Sequence, residues 1–163
     1  MVDATAALVL ATVMLLLLGR RDELPLPATI APPSVGVEVA AGSPGAETSG
    51  AEVFWTIVDP TAEIRIFNTT NVEQVAKVSF RLVPGPCSID RTIRVTTPSE
   101  DRSIELTSRS FLDVSLADVV LPPLTFEVAT VTQSGEACPP IGIDPREIFV
   151  QIHSLATQGS SSG

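Results

Sequence analysis

The feature that most restricts this chain is an alternation of apolar and polar residues, with a period of two, that begins at Val53 and runs nearly to the C-terminus. Ile64 and Ile66 alternate with Glu63 and Arg65, and Ala76, Val78, Phe80 and Leu82 alternate with Lys77, Ser79 and Arg81. Successive side chains of a strand point to opposite faces, so such a run buries one face and solvates the other. Ile93 and Val95 flank Arg94, Ile104 and Leu106 flank Glu105, and Leu112, Val114 and Leu116 flank Asp113 and Ser115. Leu124, Phe126 and Val128 continue the pattern, and Ile148, Val150 and Ile152 close it. Turn residues separate the runs at 68–71, 84–86, 97–101, 122–123 and 134–140. No stretch after Gly50 carries a helical period. The expectation is an all-β antiparallel β-sandwich of roughly seven or eight strands around one core. It would span 51–156 and end in a flexible tail at 157–163.

The first fifty residues read differently. Ala4 to Leu18 carries no charge and is followed by Arg20, Arg21, Asp22 and Glu23. A helix of that length rises only about 22 Å, short of the roughly 30 Å hydrocarbon core unless flanking residues extend it. A cleaved signal would want a basic segment before the run, where Asp3 stands instead. A buried helix that is apolar all round needs a large core. The run is therefore read as a transmembrane helix within 1–23, with the cleaved signal and the core helix as alternatives. Residues 24–50 hold Pro25, Pro27, Pro32, Pro33 and Pro44 among Gly and Ala, a composition that makes a semi-extended tether. Within it, Ser34 to Ala40 alternates as a short edge strand would, so spacer and first strand both stand as readings.

The two cysteines bear on where the domain sits. Cys87 and Cys138 lie in proline-flanked turns, PGPCS and EACPP, and the chain has no other thiol. They read as a disulfide, with two unpaired buried thiols as the alternative. A bridge needs an oxidising compartment, which places the sandwich on the extracytoplasmic side of a single-pass cell-membrane protein. Arg20 and Arg21, taken literally under the positive-inside rule, argue for the opposite side, but Asp22 and Glu23 offset them locally.

Candidate chemistry is sparse. The net charge is −9, with 10 Lys and Arg against 19 Asp and Glu, so the chain repels phosphate backbones and nucleic acid is excluded as a partner. His153 is the single histidine and ends the last strand; without a second imidazole or a nearby cysteine it supports no metal site, and it reads as a solvated strand residue. There is no G-x-S-x-G elbow, and Glu100 with Asp101 lies in a polar turn. Neither catalytic residues nor cofactors are expected. Asp144 and Arg146 bracket Pro145 and read as a turn clasp, with a ligand anchor as the sharper alternative. Asn68-Thr69-Thr70 fits a glycosylation sequon and is read as a turn. With one Trp, six Phe and no Tyr, Trp55 is the one expected platform for a sugar ring, and a buried Trp55 is the competing reading.

The order of parts carries a resemblance. An apolar helix, a Pro-rich tether, the strand EVFWTIVDPTAEIRIFN, the strand and cysteine turn VSFRLVPGPCS, and a closing DPREIFVQI after the second cysteine resemble the extracytoplasmic β-sandwich that follows the last membrane helix of some actinobacterial polytopic membrane proteins, glycosyltransferases among them. The resemblance implies an accessory or C-terminal piece onto which no catalytic residue carries over. Two functions follow as expectations. One is a non-enzymatic, membrane-tethered module presenting an interaction surface, formed by Trp55, Asp144 and Arg146, to a polytopic membrane protein in the envelope. The other is a carbohydrate-binding accessory domain of a membrane glycosyltransferase. The expected partners are the lipid bilayer, a polytopic membrane protein and a glycan.

Overall fold

The computed structural model describes residues 33–161 apart from residue 88. The expected membrane helix and the first part of the tether lie outside the described residues. Those described form eleven strands and no helix: β1 (Val35–Ala41), β2 (Ala46–Ser49), β3 (Glu52–Ile57), β4 (Thr61–Asn68), β5 (Gln74–Pro84), β6 (Arg91–Thr96), β7 (Asp101–Leu106), β8 (Leu112–Ser115), β9 (Val119–Leu121), β10 (Phe126–Gln133) and β11 (Val150–Ser161). All strand pairs are antiparallel. One sheet has the order β1-β4-β10-β6-β7, and the other β2-β3-β11-β5-β8, with β9 also paired to β5. The two sheets close on a single core, in which Ile57, Ile64, Ile66, Leu82, Ile93, Val131 and Ile152 are among the fully enclosed side chains. This is the all-β sandwich that the alternation predicts, with eleven strands among the described residues rather than seven or eight.

The strands reach further at both ends than the sequence pattern suggests. Residues 35–41 and 46–49, assigned to the tether, are β1 and β2, and 157–161, assigned to the tail, complete β11. The strand reading of 34–40 is the one the structure has. Val35, Val37 and Val39 of β1 join the core while Glu38 pairs with Arg65 on the outside. Residues 157–161 are polar and lack the alternation, yet they hydrogen-bond along 74–78 of β5. Backbone pairing there does what side-chain patterning does elsewhere.

The parity at β10 is the reverse of that expected. Apolar residues occupy both parities of LTFEVATV, and the register decides between them. Ala129 lies opposite Ile64, and Val131 opposite Ala62 and Val95, so Phe126 and Val128 turn outward. Leu124 does not extend the strand. It has φ +54° and occupies a turn pinned by its amide to Thr70 O at 2.9 Å.

Asn68 fixes the same corner from inside. Its amide nitrogen donates to the carbonyls of Val72, Leu121 and Pro122, and its Oδ1 accepts from the Thr70 amide and hydroxyl. The sequon asparagine is thus buried and wholly engaged as a turn residue.

At the opposite end of the sandwich, Cys87 and Cys138 form the expected disulfide, with Cα atoms 5.5 Å apart. It ties the β5–β6 connection to the segment before β11, where Cys138 and Ile148 form an isolated bridge. Gly85 lets the chains approach, because a Cβ there would lie 2.9 Å from Cys138 Sγ and from Phe149 O. Arg91 is buried beneath the bridge. Its Nη2 lies 3.5 Å from Cys138 Sγ, its guanidinium 5.5 Å from the Phe149 ring centroid, and its Nη1 has no hydrogen-bond partner. Loss of hydration pulls its pKa below the ordinary guanidinium value.

Candidate functional site

The outer face of the second sheet carries a row of side chains brought into line by register. Glu47 on β2 lies opposite Phe54 on β3, Phe54 opposite His153 on β11, His153 opposite Arg81 on β5, and Arg81 opposite Asp113 on β8. Neighbours across a pair stand close enough to interact directly, and Phe54 with His153 and Arg81 with Asp113 do so. The Phe54 and His153 rings stack with centroids 4.9 Å apart and planes 10° apart. His153 Nδ1 donates to Glu52 Oε1 at 2.9 Å, and Nε2 lies 3.3 Å from Gln151 Oε1. The histidine is therefore a held, half-buried residue rather than the solvated one expected. Arg81 makes a two-point bond to Asp113, Nε to Oδ1 at 2.8 Å and Nη2 to Oδ2 at 3.2 Å. That pairing keeps the Asp113 carboxyl below its ordinary range and raises the Arg81 guanidinium.

Above this row the β7–β8 loop folds over and places Phe111 on the Arg81 guanidinium, 4.1 Å from carbon to ring centroid. One face of the ring is engaged by the cation, yet the residue remains 57% exposed. Beneath it opens a cleft of about 480 Å³ whose walls include Glu52, Arg81, Ser108, Arg109, Ser110, Phe111 and His153. Val83, Pro84 and Gly85 complete its walls, so hydrogen-bonding edges stand beside an apolar stretch and one aromatic ring. The imidazole and Glu52 have the separation of a base and its orienting acid. However, Nε2 meets the amide oxygen of Gln151 rather than a serine, and the Ser110 hydroxyl is bonded to Thr107.

The residues expected to form a surface fall elsewhere. Trp55 lies opposite Ile152 and Ala46 and packs half-buried against the core, so its ring is not an external platform. Asp144 and Arg146 form the clasp, and they recruit Glu47. Arg146 Nη1 and Nη2 reach the two Glu47 oxygens at 2.8 and 3.1 Å, and Nη2 reaches Asp144 Oδ2 at 2.7 Å. Arg146 Nε and its backbone N–H also donate to Asp144. These bonds hold the Asp144 carboxyl down at about 2 and lower that of Glu47, while the guanidinium is raised. All three nitrogens of the guanidinium are engaged within the chain, which leaves no edge turned to a ligand. Among the described residues no group of three or more His, Cys, Asp or Glu is placed to hold a metal ion.

Sequence reasoning named Trp55 as the ring and missed Phe111. Among the six phenylalanines, Phe80 and Phe149 are buried, Phe80 within the main core cluster. Phe54 lies on the outer face, Phe126 is exposed with Arg65 5.0 Å from its ring, and Phe67 covers the backbone of Gly36, where an added Cβ would clash with the ring. A signal for Phe111 was present: it is a large ring closing the polar loop TSRSF, where no core position calls for one.

No family model matches the sequence, and no curated protein matches it. Among solved structures, the fold is similar to a family 35 carbohydrate binding module from Clostridium thermocellum, at 10% identity and a TM-score of 0.39 over 76% of this chain and 88% of that one. It is also similar to TmCBM61, solved in complex with β-1,4-galactotriose, at 8% identity and a TM-score of 0.37 over 77% and 88% of the two chains. A third is the Podospora anserina GH26-CBM35 β-(1,4)-mannanase, at 15% identity and a TM-score of 0.33, of which the match covers 25%. At these identities and TM-scores the likeness says nothing of what this chain binds.

Proposed function

We propose that the chain is a non-enzymatic binding module whose ligand is a saccharide held in the cleft beneath Phe111. The observation that carries the reading is the Phe111 ring, fixed on one side by Arg81 and exposed at the mouth of a cleft walled mostly by hydrogen-bonding side chains. Sugars offer C–H faces to aromatic rings and hydroxyls to polar edges, and a concave site with both is the arrangement that distinguishes them from purely apolar ligands. The reading favours the glycan-binding expectation over a general interaction surface. In this reading residues 4–18 hold the module at the cell membrane with the sandwich outside, where the Cys87–Cys138 bridge is stable. Its place there is beside a polytopic partner of the glycosyltransferase kind.

The test is glycan-array binding by the intact protein and by Phe111→Ala, with urea midpoints for both. Because the ring is exposed, the substitution should change stability by about 0.5 kcal/mol or less while abolishing the saccharide signal. Retention of that signal would refute the site. Turnover of a bound oligosaccharide, lost in His153→Ala, would refute the non-enzymatic half of the proposal.

A further inference from the structure

The outer face that carries the cleft beneath Phe111 continues past Arg81. On β5 the outward positions continue through Ser79 to Lys77. On β11 they continue past His153 to Ala156 and Gln158, with Ser79 opposite Ala156 and Lys77 opposite Gln158. A second cleft of about 430 Å³ lies there, its walls including Lys77, Ser79, Ser115, Asp118 and Gln158. Register makes the two neighbours, because Arg81 and Ser79 are successive outward residues of one strand and Asp113 and Ser115 flank them in the same order on β8. From Lys77 to Val83 the floor is about 20 Å long at the rise of an antiparallel strand, several times one sugar ring. It is a groove rather than a socket.

Two further observations single out this groove. Midway along it β11 carries a bulge between His153 and Ala156, with Ser154 at φ +51°. Left-handed backbone at a residue other than glycine is uncommon and costly, and bulges of this kind recur where a strand must re-aim its side chains beside a site. The second observation is charge. Among the described residues Arg65, Arg81, Arg94, Arg102 and Arg146 are in salt bridges and Arg91 is buried. Lys77 and Arg109 are the remaining cations among these residues, Arg109 interacting electrostatically with Asp90, and each lines one of the two clefts. In a chain of net charge −9, these two cations, outside the salt bridges of the described residues, stand one on each cleft. The carboxylates near it are Glu52, held on His153, Asp113, held on Arg81, Asp118, and Asp90, held by the Ser108 amide beside Arg109.

Resting on the saccharide reading above, we infer that the ligand is a linear acidic saccharide laid along β5 and β11, with one anionic group meeting Arg109 and another, several sugars on, meeting Lys77. The experiment is titration of the full-length protein with α-1,4-linked oligogalacturonates from disaccharide to hexasaccharide, with neutral cello-oligosaccharides of the same lengths as controls. Affinity for the acidic series should rise with length and then level off, and should weaken as salt is added. Lys77→Gln should reduce hexasaccharide affinity about two- to fivefold, the size of one exposed ion pair, and leave disaccharide binding unchanged. Equal affinity for di- and hexagalacturonate, equal affinity for neutral and acidic hexasaccharides, or no binding of hexagalacturonate would each overturn the inference. Phe111→Ala separates this failure from that of the site itself. If the acidic chain shows no preference but Phe111→Ala still abolishes glycan binding, the groove inference falls alone. If Phe111→Ala leaves binding intact, both fall.

Discussion

Removing the disulfide is the perturbation whose size the structure defines best. Cys87 and Cys138 are 51 residues apart in sequence, and the loop between them contains β6 to β10, which supply three of the five strands of the first sheet. Cross-linking a loop of that length removes chain entropy from the unfolded state worth about 4 kcal/mol. Domains of this size hold about 5–15 kcal/mol in all, so Cys87→Ala/Cys138→Ala should remain folded at 25 °C with a sharply lower urea midpoint. Cys138 is fully buried, and its backbone exchanges two hydrogen bonds with Ile148, at 2.7 and 3.0 Å. The native geometry at that corner therefore does not depend on the sulfur alone, and the loss should appear mainly as a change in the unfolded chain. The assay is urea unfolding followed by Trp55 fluorescence, for the variant and for the oxidised and reduced wild type, with intact mass confirming loss of two hydrogens in the oxidised sample. Coincident midpoints for oxidised and reduced protein, or two alkylatable thiols in protein exported to an oxidising compartment, would refute the reasoning.

Two other outcomes follow from the geometry. Asp144 is held at about 2 by its bonds to Arg146, and a depressed carboxyl contributes stability that is complete above its unfolded value and lost as pH falls through the folded one. The clasp should thus stay closed at pH 4 and open toward pH 2. A carboxyl carbon titration by NMR should place Asp144 there, with Arg146→Met returning it toward the ordinary range, and an unshifted Asp144 in the wild type would show that the clasp does not form in solution. Trp55→Ala should cost about 2–3 kcal/mol, below the range for a fully buried tryptophan because the ring is only half-buried, and leave saccharide binding unchanged. A variant of unaltered stability that has lost the glycan would make Trp55 the platform after all.

How much of this was legible depended on how many levels of the sequence agreed. In the central residues of β4, β5 and β6, 62–66, 76–82 and 93–95, a single parity is apolar, so face and core membership follow from alternation alone, and the buried set Ile64, Ile66, Val78, Leu82, Ile93 and Val95 is the one the pattern names. In β10 both parities are apolar and local pattern cannot choose. The choice is made by Ile64 and Ala62 across one ladder and Val95 across the other, partners more than thirty residues away. The far end of β11 lacks a pattern altogether and exists because β5 offers it a long ladder.

The candidate site was less legible for a related reason. Its elements are polar residues on the outer face, where alternation records only that they avoid the core. What makes them a site is cross-strand order, which brings Glu47, Phe54, His153, Arg81 and Asp113 from five different strands into one row. Aromatic composition misled as well. With so few rings, a chain is expected to place them in its core, yet Ile, Val and Leu fill most of this one, and only Phe80 and Phe149 of the phenylalanines are buried. Branched aliphatic side chains suit the close spacing between facing sheets, and they release phenylalanine for the surface. There it would be a liability unless something engages it. Arg65 on Phe126 and Arg81 on Phe111 do so from one side each. Of these two rings, Phe111 is the one that overhangs a polar cleft, with its guanidinium partner anchored in turn by Asp113. The candidate site therefore lies on the second sheet, where the ring stands over hydrogen-bonding groups of β5 and β11, while the comparable ring of the first sheet, Phe126, is engaged by Arg65.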